Sequence, residues 1–220
     1  TSCSKKTEDV TQSIINEFKA IAKIPHSSDQ FLYEVPFKSK VMKLSNYLVK
    51  RVEELSGIHP FQDKYGNITF DVPYNDESLK NAPLVAIQAH MDMVFSFDPK
   101  KYDPEHYPNP DETSIDVVEE KIKDEQGNVH RALHSKDYKT SIGADNGIGL
   151  AQALTLISRK DIKHGNLRFI FTNFEENARD IIVPFECQDL INVDNGFFDE
   201  VDGPDYENEM WGRYVTVIRS

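Results

Sequence analysis

The stretch PLVAIQAHMD, residues 83–92, restricts the fold more than any other part of the chain, because it opens with a continuous apolar run and ends on an imidazole and a carboxylate. Such a run suits a strand buried on both faces, in the middle of a sheet that helices cover. GNITFDV (66–72), HGNLRFIFTN (164–173) and CQDLINVD (187–194) read as further strands. Apolar residues recur at helical steps between them: Val10, Ile14, Phe18, Ile21 and Ala22 across 8–23, ahead of Pro25, and Val41, Leu44, Leu48, Val52 and Leu55 across 38–55, stopped by Gly57. Ile148, Ala151, Leu154 and Ile157 give a third helix across 146–160. Strands alternating with helices predict an α/β fold with a mixed, largely parallel sheet and helices on both faces.

Residues 98–139 change to Pro, Asp, Glu, Lys and Tyr, with a hairpin expected to turn at Gly127, and form an excursion from the core. After Gly196 the chain is acidic and then strand-like, as if a second unit began there. The formal net charge of −12 argues against nucleic acid and suits a protein that attracts cations. No apolar run approaches the roughly 20 residues that span a bilayer, so a soluble chain with no membrane partner is expected. Cys3 and Cys187 form no CxxC signature, which suits reduced thiols in the cytoplasm. TSCSKK allows one other localisation, lipid anchoring through Cys3.

Ligands of α/β sheets gather at the carboxyl ends of strands. Four places put acid or imidazole groups there: His90 and Asp92 after LVAIQA, Asp145 in GADNG, the adjacent Glu175 and Glu176 after RFIFTN, and Asp194 after LINV. Each alone has an ordinary explanation. A histidine at a strand end is more often a satisfied polar group, an Asp in a Gly-bounded turn caps the next helix, and paired glutamates are common on surface loops. Their convergence is what points to a divalent cation, which would relieve the repulsion among the carboxylates. The set of imidazole and carboxylates without thiolate suits Zn²⁺, or Mn²⁺ or Co²⁺.

DKYGNITF, LVAIQAHMDMV, TSIGADNGIGLAQAL, HGNLRFIFTNFEE and DLINVD together resemble the M20 metallopeptidases, above all their Xaa-His dipeptidase branch, over most of residues 13–195. The resemblance implies a three-layer α/β/α zinc-peptidase-like domain, with 1–195 the first segment of the catalytic domain and 196–220 the start of a lid or linker. It implies two divalent metal ions. His90, Asp145 and Asp194 would hold the first, with Asp92 as the carboxylate orienting His90. Asp145 would bridge to a second ion on Glu176, and Glu175 would act as general base in dipeptide hydrolysis. A cis bond between Asp145 and Asn146 is also implied. The family is longer, with a lid through which it can form homodimers and a late histidine for the second metal, whereas no histidine follows His164 here. The sequence therefore reads as an incomplete portion, inactive alone and binding at most one ion tightly. A non-catalytic M20-like protein, acting as a metal-binding or assembly partner, is the alternative.

Overall fold

A computed structural model describes residues 2–28, 41–173, 175–176, 189–194 and 214–219. Three helices, α1 (Ser2–Ala22), α2 (Val41–Ser56) and α3 (Ala144–Ser158), accompany eight strands among these residues. Helix α1 begins earlier than its expected start because periodicity marks only an apolar face, and its first turns are polar. Gly57 ends α2 as expected, with φ +73 and its N–H bonded to the Glu53 carbonyl at 2.8 Å.

Strands β1 (Phe61–Gln62), β2 (Ile68–Val72), β3 (Val85–His90), β6 (Leu167–Thr172), β7 (Asp189–Asp194) and β8 (Tyr214–Arg219) form one sheet in the order β1-β2-β6-β3-β7-β8. The sheet is mixed, and its parallel pairing is confined to the centre, where β3 lies between β6 and β7. The pairings β1 with β2, β2 with β6 and β7 with β8 are antiparallel. Part of the 196–220 stretch, read as the start of a second unit, is strand β8, which pairs along β7 at the edge of the main sheet. YVTVIR supplies the apolar alternation that lets it pair along β7. Strands β4 (Val117–Lys123) and β5 (Val129–Ser135) make a separate hairpin within the expected excursion, turning at Gly127 with φ +82.

Register sorts the sheet side chains. Phe70 pairs with Phe169, Ile68 with Phe171, and Ile87 and Ala89 with the same two phenylalanines, so these residues share one face. Phe18 and Ile21 of α1, Leu44, Leu48 and Val52 of α2, and Leu150 and Leu154 of α3 join that face in one core, in which the Phe70 and Phe169 rings stack at 5.0 Å. On the other face Arg168 holds Asp71 through two hydrogen bonds of 2.6 Å. Two of the three expected layers are thus seen among the described residues. No helix among them is long and apolar enough to cross a membrane. Cys3 lies inside α1, and no feature of the structure supports a lipid anchor there.

The α1–α3 contact positions the turn that carries Asp145. A Cβ on Gly147 would lie 2.9 Å from the Phe18 ring, so the helices meet through the absence of a side chain there. Because Phe18 is fully buried, Phe18→Ala is expected to lower the unfolding free energy by about 3–5 kcal/mol in urea denaturation. A loss below about 1 kcal/mol would contradict this packing.

Candidate metal centre

Because β6, β3 and β7 are parallel, their carboxyl ends share one edge of the sheet. His90 pairs with Thr172 there, and Gln88 with Asn192, so Asp194 ends β7 at the level where β3 ends. His90 is 2% exposed, which fixes its ring by packing. Its Nδ1–H donates to the Asp92 carbonyl at 2.9 Å, and Nε2 faces Asp145 Oδ1 at 2.8 Å.

Asp145 reaches that position from an irregular turn. Gly143 adopts φ +68, and Asp145 and Asn146 are non-helical even though they fall within α3. Asn146 Oδ1 accepts the Gly149 N–H at 3.1 Å, so Asn146 takes the capping role that an isolated Asp145 invited. The Asp145 carboxylate is left for His90. The Asp145–Asn146 bond is cis, as the resemblance implied.

Glu175 and Glu176 are held by their main chain. The N–H of Glu175 donates to Asp92 Oδ1 at 3.1 Å and that of Glu176 to Asp92 Oδ2 at 3.2 Å. Further back, Asn173 N–H donates to Asn67 Oδ1 at 2.8 Å, and Asn67 is itself held by Asp63. With both ends of the turn anchored, the two side chains project toward His90. Donor atoms of His90, Asp145 and Glu176 all lie within 4.8 Å of one another, and Glu175 Oε2 is 3.9 Å from His90 Nε2.

The Asp92 carboxylate differs from its expected role. Its oxygen stands 3.7 Å from His90 Nδ1, beyond hydrogen-bonding distance, and the carbonyl of the same residue takes the proton. The two carboxylate oxygens accept the N–H groups of the glutamates. His90, Asp92, Asp145, Glu175 and Glu176 therefore gather as expected, while the side chain of Asp194 lies outside the described residues. Sequence reading missed Asn67, Asn173 and Ser28. YGN lies in the resembling stretch DKYGNITF and Ser28 in PHSS (25–28), but nothing in either announces a hydrogen bond to this site.

Burial works against an imidazolium at His90, yet the carboxylates of Asp145 and Asp92 overcome it and raise the ring well above its ordinary range. Burial likewise opposes ionisation of Asp92, but His90 and the two N–H donors hold its carboxyl below the usual value. At Glu176, burial and then the charges of Asp145, Asp92 and Glu175 push the carboxyl up to about 7, against the pull of His90. With Nδ1–H directed at a carbonyl, Nε2 meets Asp145 favourably only if a proton or another cation stands between them. One divalent ion would serve His90, Asp145 and Glu176 at once, with a donor set suited to zinc or a similar ion.

No protein-family model matches the chain. It is 28% identical over 180 residues to Peptidase T of Bacillus subtilis (strain 168), covering 76% of this chain and 43% of that protein. With Peptidase T of Macrococcus caseolyticus (strain JCSC5402) the identity is 28% over 199 residues, covering 84% and 48%. Among solved structures, aminoacylhistidine dipeptidase from Vibrio alginolyticus superposes with TM-score 0.59 and 24% identity over 83% of this chain and 33% of that one. Aminopeptidase PepT from Bacillus cereus ATCC 10987 gives TM-score 0.51 and 21% identity over 84% and 43%. This is the fold of the M20 metallopeptidases. The resemblance to M20 holds in sequence as well, and the chain spans about half the length of the curated relatives it matches.

The raised carboxyl of Glu176 has a sign that can be measured. In metal-free protein this group binds its proton more tightly folded than unfolded, so its contribution to stability is full below its ordinary value of 4.5 and is lost as pH rises through about 7. Urea denaturation of the metal-free chain and Glu176→Gln at pH 5 and pH 8 is expected to show the wild type losing stability relative to the variant at the higher pH. Parallel changes in the two proteins would contradict the assignment.

Proposed function

We propose that this chain carries the metal-binding and proton-transfer groups of an M20-type dipeptidase, acting on Xaa-His dipeptides or a broader set. The observation that carries the reading is the meeting of His90, Asp145 and Glu176 donors within 4.8 Å, with Glu175 beside them. His90, Asp145 and Glu176, whose donors meet here, would hold one divalent ion; the two-ion arrangement that the resemblance implies would add Asp194 to His90 and Asp145 and pass Glu176 to a second ion. When bound, such ions acidify water and polarise a carbonyl.

The chain's own residues do the rest. Glu175, 49% exposed at its side chain, takes the proton of the attacking water and returns it to the departing amine. Asp92 fixes the main chain of both glutamates so that one carboxylate binds while its neighbour moves protons. For a second ion, Asp145 and Glu176 are two carboxylates without an imidazole, and no histidine follows His164 in the 220 residues. Alone, these residues hold one ion tightly and hydrolyse dipeptides negligibly.

Zinc titration of the purified chain is expected to give one tight ion in the wild type and in Glu175→Gln, and affinity weakened by about 100-fold or more in His90→Ala. Binding unchanged in His90→Ala would overturn the ligand assignment. A dipeptide hydroxamate is expected to bind the zinc-loaded chain and not the metal-free one, and indifference to zinc would contradict the peptidase reading. Turnover of Xaa-His or other dipeptides that vanishes in Glu175→Gln would support Glu175 as base but overturn the one-ion account.

A further inference from the structure

The Asp92 carboxylate has one more partner, and it comes from a distant part of the chain. Ser28 Oγ donates to Asp92 Oδ2 at 3.1 Å across 64 positions of sequence, onto the same oxygen that accepts the Glu176 N–H. The hydroxyl is delivered from a fixed main chain. Ser27 forms a parallel bridge with Met93, the Ser28 N–H donates to the Met93 carbonyl at 2.7 Å, and the Met93 N–H donates to the His26 carbonyl at 3.3 Å. Residues 26–28 are thereby docked alongside the residue that follows Asp92.

Asp92 has no solvent exposure, so water does not readily replace a lost donor. A buried carboxylate holds its position in proportion to the donors that satisfy it, and here the remaining donors are the N–H groups of the two glutamates. We propose that Ser28 is a positioning residue for the glutamate pair: its hydroxyl locks the Asp92 carboxylate in the orientation that presents one oxygen to each glutamate N–H. This rests on the metal-centre reading for its consequence, and on the hydrogen bonds alone for its geometry. Ser28 touches neither metal nor substrate. Its influence passes through Asp92 to the backbone of Glu175 and Glu176, and so to the spacing of the Glu176 carboxylate from His90 and Asp145.

The test uses Ser28→Ala and Ser28→Thr, the second keeping a hydroxyl. Amide hydrogen exchange read by NMR on the metal-free proteins is expected to speed up about fivefold at Glu175 and Glu176 in Ser28→Ala, the loss of roughly one hydrogen bond's net worth, with wild-type rates restored in Ser28→Thr. Zinc affinity, measured against a competing chelator, is expected to fall about tenfold in Ser28→Ala and to recover in Ser28→Thr, with the exchange of the other slow amides changed less than that of Glu175 and Glu176. Unchanged exchange at these two amides overturns the proposal. So does an equal quickening of all slow amides, which would mark Ser28 as a general stabiliser. If the wild type binds no zinc, the metal-centre reading fails, and the exchange data still decide Ser28.

Discussion

A carboxylate without solvent exposure, Asp92, holds the main chain of two adjacent glutamates. The remainder of the site depends on that interaction. A buried charge is unfavourable unless donors surround it, so the Asp92 oxygens draw in N–H groups from the turn after β6. That fixes the backbone where two like charges would otherwise drive the chain apart. The glutamate side chains are then free to diverge, one to join His90 and Asp145, the other to stand beside them.

Sheet topology makes this possible. Among the described residues only β6, β3 and β7 run parallel, and there their ends collect on one edge, carrying Thr172 and the turn beyond it, His90, and Asp194. The antiparallel flanks widen the sheet without adding ends to the site. Asp145 enters from the side, through a turn that Gly143 opens with φ +68 and beneath which Met93 packs so closely that a Cβ at Gly143 would lie 2.6 Å from its sulfur. Asn146 caps the helix, which leaves Asp145 uncommitted. Adjacent residues thus divide a structural role and a chemical one.

Much of this was legible in the sequence, because strand ends and helix faces leave local signals. The apolar run before His90, the Gly-bounded Asp145 and the Glu pair after RFIFTN located the edge of the sheet and the residues upon it. Where the reading failed, the cause was non-local. The donors of the Asp92 carboxylate come from far along the chain, Ser28 from 64 positions away. The pairing of β8 with β7 depends on a sheet edge that no local pattern announces. Helix α1 extends N-terminal to its apolar face, where polar residues follow a helix already nucleated by packing.

On the proposed reading, one cation joins His90 to Asp145 and Glu176 while Asp92 stays outside the coordination shell and holds the glutamate backbone. A crystal structure of the zinc-loaded chain with anomalous diffraction at the zinc edge tests it most directly. The expected result is a peak about 2.0–2.2 Å from His90 Nε2 and from carboxylate oxygens of Asp145 and Glu176, with both glutamate N–H groups still on Asp92. A peak bound to the Asp92 carboxylate, or zinc sited away from His90, would contradict it.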